Sequence, residues 1–380
     1  MSFPAQARIP VGLAALFIGL NAFFGGGPDF TPCTSGAPDA KLAGCSALID
    51  SGKLHGRDLA VAHLQRGLVR DEANNLDAAV ADYAAAISAD PKYALAYSNR
   101  AYAYGRLGQL KLAHADLETA EKLDPKLGII YRNKTFVYSL EGNNAAATAA
   151  AEKAIELTPN DPENHYNIGV LKAERGDEQG ALAAYAKAIE IDPKHAGSYV
   201  NAGVILADQG DVEGAVARYQ KALEIQPDNV LAQHNLGFAH YRRQEWQLAL
   251  ERTARAIALD PKFKQAYVIR ALARAQLGDL NGALGDNNTV IALDPNFVLA
   301  YFKRAEIFMA QENPAAAIDD CSRALTMTSA PSELGYAHAL RGEAYAKLGQ
   351  KQQAREDFQK ALAVAPNEKI AKDGLANLGT

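Results

Sequence analysis

The chain has no surplus of positive charge. Lys and Arg number 39 against 44 Asp and Glu, the formal net charge is −5, and no block of five or six like charges occurs. Without a basic field or stripe there is no electrostatic footprint for nucleic acid or an anionic membrane surface. Also missing are G-x-x-x-x-G-K-[ST], a strand-to-helix G-x-G-x-x-G, G-x-S-x-G and H-E-x-x-H, the spacings that mark phosphate cradling, dinucleotide binding, serine hydrolysis and zinc proteolysis. The three cysteines form no C-x-x-C, and no histidine pair completes a zinc site. Few features are left for chemistry: the expectation is no catalytic residue, no metal and no cofactor. No apolar run reaches the ~20 residues that a membrane-spanning helix usually needs.

One shorter apolar run is present, Ile9 to Phe24, with Arg8 before it. A positive start followed by a short apolar stretch predicts a secretory signal within residues 1–27, and hence a periplasmic or secreted protein. Gly25 and Gly27 make a poor cleavage site because Pro28 comes next. An uncleaved inner-membrane anchor through residues 9–24 therefore stays open, as does a buried apolar helix in a cytosolic protein. Cys33 and Cys45 lie close behind. In an oxidising compartment they could close a small loop; otherwise they are two unpaired thiols. Cys321, inside a predicted helix, reads as an ordinary packed thiol. Leu42, Cys45, Leu48 and Ile49 stand at helical spacing, with Gly52 as a stop, so residues 28–59 predict a short helix that covers the N-terminal end of the remaining chain.

From residue 60 onward the sequence is periodic. Pro91, Pro125, Pro159, Pro193, Pro227, Pro261 and Pro295 stand 34 residues apart, and Pro331 and Pro366 continue the series after an insertion at Thr328–Ala330. Counting each unit from 31 residues before its proline, units start at Ala60, Ala94, Gly128, Pro162, Ala196, Val230, Lys264 and Val298, and a ninth at Gly335. Position 20 is alanine in all nine units, position 8 is Gly, Ala or Thr, and position 27 is Ala except for Val290. Glycine at position 15 ends the first helix of a unit (helix A), as in Gly108, Gly142, Gly176, Gly210, Gly278 and Gly349. Asp177, Asp211 and Asp279 then cap the second (helix B), and Asp-Pro pairs stop it.

A period of 34 residues with these small positions and a closing proline resembles the tetratricopeptide-repeat (TPR) family over residues 60–368. The resemblance implies an all-α fold: an α-solenoid, a right-handed superhelix of nine helical hairpins, with Lys369–Leu378 (within 369–380) as a capping helix. It departs from the family at position 4, where Trp is common and this chain has Tyr, His or Gln, and at position 24 in units six and seven, with Thr253 and Asn287. Those two units are expected to pack more loosely. The run Ala43-Gly44-Cys45 to Ser51-Gly52-Lys53-Leu54 ahead of the repeats is similar to exported repeat proteins of alphaproteobacteria.

The resemblance implies a non-catalytic scaffold that binds extended segments of partner proteins in a concave groove lined by helix A. A membrane-tethered assembly or chaperone-like factor of the cell envelope is the alternative. Position 6 carries Asn99, Asn133, Asn167, Asn201 and Asn235. An amide offers donors and an acceptor to any peptide unit, and the repeats of the transferases that attach N-acetylglucosamine to proteins use position-6 asparagines so. Equally, these asparagines satisfy backbone groups or face water. Aromatic groove candidates are Tyr102, Phe136, Tyr166, Phe238 and Tyr241, among mixed charges: Arg106, Arg132 and Arg242 against Glu163, Glu174 and Asp208. The Lys/Asn/Arg set that clamps C-terminal carboxylates elsewhere in the family is missing.

Overall fold

In a computed structural model, residues 28–379 are described; the expectations for residues 1–27 lie outside them. Among the described residues there are twenty-one helices and no strand. Two N-terminal helices, α1 (Thr31–Thr34) and α2 (Pro38–Asp50), precede an alternation of A and B helices. The alternation begins with α3 (Gly56–Glu72) and α4 (Leu76–Ala89), α5 (Ala94–Arg106) and α6 (Leu110–Leu123), α7 (Gly128–Leu140) and α8 (Asn144–Leu157). It continues with α9 (Pro162–Glu174) and α10 (Glu178–Ile191), α11 (Ala196–Asp208) and α12 (Val212–Ile225), α13 (Val230–Arg242) and α14 (Trp246–Leu259). The last pairs are α15 (Lys264–Gln276) and α16 (Leu280–Leu293), α17 (Val298–Ala310) and α18 (Pro314–Leu325), α19 (Pro331–Lys347) and α20 (Lys351–Val364), before a final helix α21 (Lys369–Leu378). In chain order these pairs are hairpins 1 to 9.

The described residues fall into two compact units, 28–201 and 202–379. In the first, each A helix packs on its own B helix, from α3 on α4 to α9 on α10, and successive hairpins stack in chain order. In the second, the same holds from α13 on α14 to α19 on α20, with α21 closing on α19 and α20. Pro331 does not end hairpin 8 as its place in the proline series suggests. It sits in the first turn of α19, where its missing N–H is harmless.

The turn between A and B needs a left-handed residue. The six predicted glycines supply it, with φ between 69° and 88°. In hairpins 1, 6 and 8 the same conformation is forced on Asn74 (φ 58°), Gln244 (62°) and Glu312 (58°). Asp177, Asp211 and Asp279 each accept from a backbone N–H three residues on, at 2.9 Å. Asn75, Asn143 and Asn313 cap their B helices in the same way.

Three contacts recur inside the hairpins. First, position 8 is a hole for position 24. A Cβ built on Gly67, Gly169, Gly203 or Gly342 would stand 2.5–2.7 Å from the ring of Tyr83, Tyr185, Tyr219 or Phe358. Where position 24 shrinks to Leu117, Asn287 or Cys321, position 8 grows to Ala101, Ala271 or Ala305, and opposite Ala151 it is Thr135. Summed volume is thus traded between the two positions, as close packing favours, except in hairpin 6, where Gly237 faces the small Thr253. Thr253 and Asn287 are fully buried and bond to Ala249 O (2.6 Å) and Ala283 O (2.9 Å), so these polar side chains find partners within helix B.

Second, position 4 donates to the carbonyl of the preceding repeat's proline: Tyr131, Tyr267 and Tyr301 through the hydroxyl, His165 through Nε2 and Gln233 through Nε2, at 2.8–3.2 Å. A donor of suitable reach is what the position needs, which explains why Tyr, His and Gln all serve where Trp is expected. Third, in hairpins 1, 2, 7, 8 and 9 an Arg at position 7 forks onto an Asp at position 23: Arg66–Asp82, Arg100–Asp116, Arg270–Asp286, Arg304–Asp320 and Arg341–Asp357, at 2.6–2.8 Å. In hairpins 1 and 9 the position-4 imidazole joins in, His63 to Asp82 and His338 to Asp357.

At the N-terminal end a disulfide joins Cys33 to Cys45, with Cα atoms 4.4 Å apart. Cys321 is a buried free thiol whose pKa burial pushes up to about 12, a packed and unreactive group.

Candidate functional site

The A helices of hairpins 2 to 5 carry their position-6 asparagines beneath the surface. Asn99 is 3% exposed, and Asn133, Asn167 and Asn201 are each 1% exposed. The Asn133 amide reaches back to the preceding A helix, donating to Ser98 O (3.0 Å) and Ser98 Oγ (2.9 Å). Asn201 donates to the Tyr166 hydroxyl at 3.1 Å. Both bonds run from position 6 to position 5 of the repeat before, so they fix one A helix on its neighbour. Asn167 is different: neither its Oδ1 nor its Nδ2 has a hydrogen-bond partner among the described residues, and Asn99 Nδ2 has none either. In the second unit Asn235 is fully buried.

Above this layer sits an aromatic pair. Tyr102 on α5 is half-buried against Phe136 on α7, ring centroids 4.7 Å apart. Gly105 makes the approach possible, because a Cβ there would lie 3.0 Å from the Phe136 ring and 3.5 Å from Leu140. Burial pushes the Tyr102 hydroxyl up to about 12, with Arg106 and Arg132 opposing and Asp71 and Glu163 reinforcing the shift, so two cationic and two acidic groups surround this ring. All four are paired. Arg106 bonds the carboxylate of Asp71 and the side chain of Asn74, Arg132 bonds Asp161 at 2.9 Å, and Glu163 accepts from His195 at 2.9 Å. Burial raises the Asp71 carboxyl, and Arg106 offsets part of that. Tyr166 lies deeper, 2% exposed, with burial raising its hydroxyl well above the ordinary tyrosine value.

His195 links three groups. Its Nδ1 accepts from Ser198 N (3.1 Å) and lies 2.8 Å from Ser198 Oγ, which leaves Nε2 to donate to Glu163. The connectivity is that of a Ser–His–carboxylate relay, but Ser198 is fully buried and the imidazole is occupied with capping α11. No substrate reaches that hydroxyl, so the arrangement orders the helix start. Among the described residues no group of three His, Cys, Asp or Glu could hold a metal, and no helix is long and apolar enough to cross a membrane.

In the second unit Phe238 is buried and Tyr241 stacks at 5.1 Å on Trp246, the only tryptophan in the chain. Glu306 accepts from Lys303 (2.9 Å) and from the Tyr336 hydroxyl. His234 is held neutral, its pKa lowered by burial to about 4. Sequence reasoning found Tyr102, Phe136 and the surrounding arginines. It missed Asp71 and Gly105, which share position 12 with Ala173, Ala207, Ala275 and Ala346 and depart from that residue type, and His195, whose position carries no dominant residue type.

Repeat models described as tetratricopeptide repeats match residues 60–93 and 94–127, 141–196 and 234–296, and 335–368, and one described as a TPR repeat matches 203–244. Together they span most of the array. The chain belongs to the tetratricopeptide-repeat family. No curated protein matches it at a significant level. Among solved structures, the TPR chain is similar to one from the APC/C hetero-tetramer Cut9-Hcn1, with 15% identity over 90% of this chain and 83% of that one, TM-score 0.52. It is similar also to PilF of Pseudomonas aeruginosa (17% identity, 57% of this chain and 97% of that one, TM-score 0.51). A third is the C-terminal part of a TPR repeat-containing protein from Cytophaga hutchinsonii (20% identity, 64% and 99%, TM-score 0.50). These likenesses support the α-solenoid fold. No enzymatic family is indicated, and TPR arrays of this kind are protein–protein interaction scaffolds.

Proposed function

We propose that the A-helix face of hairpins 2 to 4 binds an extended segment of a partner protein, anchored over the Tyr102–Phe136 pair. The observation that carries this is the pairing of a half-buried aromatic anchor with a rim whose charged groups already have partners, Arg106 and Arg132 in ion pairs and Glu163 in a hydrogen bond from His195. A large apolar contact with a satisfied polar rim is the composition of interface hot spots. The position-6 asparagines act from below: Asn133 and Asn201 hold the A helices in register, and Asn167, whose amide is unpaired, is the rung open to a peptide unit if the floor opens. Export is part of the same reading, since the Cys33–Cys45 bond forms under oxidising conditions.

The test uses two leucines of equal exposure, Leu140 beside the aromatic pair and Leu112 on helix B of hairpin 2, each 49% exposed. A photo-crosslinking residue at Leu140 of the full chain in intact cells should capture a protein that the same residue at Leu112 does not. Equal capture at both positions, or capture at Leu112 alone, would remove this face from the function. Fractionation tests the export half: a strictly cytoplasmic chain with reduced Cys33 and Cys45 contradicts it.

A further inference from the structure

The N-terminal cap buries few side chains: the two disulfide cysteines and, after α2, Leu54, with Leu42, Leu48 and Ile49 half-buried. α1 is four residues long, too short to be stable alone. In α2 the only buried side chain is that of Cys45, and in α1 the only one is that of Cys33. Both cysteines are at most 1% exposed. Two further contacts depend on where the bond places α1. The Pro32 carbonyl lies against Gly44 so closely that a Cβ there would stand 1.9 Å from its oxygen. Phe30, at the N-cap of α1, packs onto the core of hairpin 1, against a cluster that includes Ala60, Leu64 and Tyr83. Below the cap, Arg66 of hairpin 1 donates to Ser46 of α2 at 3.2 Å. In hairpin 9 Arg341 reaches Ser322 of the preceding B helix at 2.9 Å in the same manner. α2 therefore stands where a preceding repeat would stand, but its apolar stripe is only half-buried and its one fully buried side chain is the disulfide cysteine Cys45.

We propose that residues 28–55 form a redox-operated cap: reduction of Cys33–Cys45 releases α1 and Phe30 and uncovers the edge of hairpin 1, while the hairpins stay folded. The chemistry is thiol–disulfide exchange with a dithiol reductant. One reductant thiolate attacks a cysteine sulfur, breaking the S–S bond and expelling the other cysteine as a thiolate that takes a proton. The second reductant thiol then resolves the mixed disulfide, so that the two cysteines gain two electrons and two protons and the reductant becomes a disulfide. Because both sulfurs are buried, attack waits on the cap lifting, and the rate of reduction reports that opening. Cys321 takes no part: it lies in the other compact unit, buried in the core of hairpins 8 and 9.

The experiment follows amide exchange in the full chain with and without dithiothreitol. Reduction should speed exchange in residues 30–50 and along α3 by roughly tenfold or more, leave 202–379 unchanged, and reverse on reoxidation. Two variants keep the bond but loosen its seat. Phe30→Ala should accelerate reduction by dithiothreitol several-fold. Gly44→Ala should give fast exchange in residues 30–36 even when oxidised. The proposal is overturned if reduction leaves exchange unchanged, if it unfolds residues 56–201 as a whole, or if neither variant alters the reduction rate.

Discussion

Hairpins 1, 2, 7, 8 and 9 carry an Arg–Asp ion pair at positions 7 and 23 of their A–B seam, and hairpins 3 to 6 have no such residue pair at those positions. In the middle four, positions 7 and 23 are Lys134 and Ala150, Ile168 and Ala184, Ala202 and Arg218, and Leu236 and Arg252. The outer hairpins bind their own A helix to their own B helix through a buried fork, and their asparagine series stops: position 6 is Gln65, Ile269, Lys303 and Leu340, with Asn99 alone shared. In the middle hairpins directional bonds run from one A helix to the next, as Asn133 to Ser98 and Asn201 to Tyr166. The outer hairpins carry A-to-A bonds as well, Arg106 to Asp71 and Tyr336 to Glu306, so what sets the middle hairpins apart is the missing fork at positions 7 and 23. The region where A helices are tied side by side in the first unit is also where Tyr102 and Phe136 meet. A binding face needs neighbouring A helices at fixed spacing, whereas a terminal hairpin needs its own two helices held together because it has fewer neighbours.

The contrast breaks most sharply at the ion pair. Arg341→Leu leaves Asp357, 3% exposed, without its main partner, and should cost about 3–5 kcal/mol, whereas Arg341→Leu with Asp357→Leu should recover most of that loss. Amide exchange in α19 and α20 reads both. Burial alone would raise the Asp357 carboxyl, but the bonds from His338 and Arg341 outweigh it and hold it below its ordinary value of 3.8. A depressed carboxyl contributes stability above its unfolded pKa and loses it as pH falls through the folded value. Wild type should therefore lose protection in hairpin 9 below pH ~3.8, and the double variant should not show that step. A flat response in wild type would mean the pair contributes nothing.

A smaller effect tests what the two classes share. Gly169→Ala puts a methyl 2.6 Å from the Tyr185 ring and should lower stability by about 1–3 kcal/mol through overpacking. Adding Tyr185→Leu reproduces the Ala101–Leu117 pairing of hairpin 2 and should cost less than the two changes summed. A strictly additive thermal melt would show that positions 8 and 24 do not form one packing unit.

That exchange of volume was half legible. Position 8 reads as small because its smallness repeats, but the reason lies 16 residues away and shows only when Gly67, Gly169, Gly203 and Gly342 are set beside aromatic rings. Helix boundaries were legible because glycine at position 15 and proline at position 32 have backbone causes that act locally. Thr253 and Asn287 bond to carbonyls of their own helix, partners that a sequence pattern does not reveal because such bonds have no hydrophobic signature. The asparagine ladder was visible as a column of letters. Its burial was not, since exposure at position 6 depends on how closely neighbouring A helices approach. Pro331 misled for a related reason: five residues of linker after α18 change which helix end a proline serves.

The ladder itself separates into two kinds of rung. Asn133→Leu removes two bonds and strands the Ser98 hydroxyl, which should cost about 1–3 kcal/mol. Asn167→Leu removes an amide with no partner among the described residues, so its stability should stay level or rise. Should both variants melt alike, the distinction between supporting and open rungs is lost. If Asn167→Leu is stable but loses the protein captured at Leu140, the open rung belongs to the binding face.

The smallest effect lies at the turns. Gln244 and Glu312 hold a left-handed backbone that six other hairpins assign to glycine. For a residue with a Cβ that conformation costs roughly 1–2 kcal/mol, partly offset in a glycine variant by the greater freedom of the unfolded chain. Gln244→Gly and Glu312→Gly should each stabilise by about 0.5–1 kcal/mol. Asn74→Gly should gain less, because asparagine tolerates this region and its side chain accepts from Arg106 at 2.6 Å. The order Gln244 and Glu312 above Asn74 is the decisive reading in a thermal melt. If Asn74→Gly were the most stabilising of the three, backbone strain would not be what distinguishes these turns, and the Arg106 contact beside Tyr102 would be the weaker element of the rim.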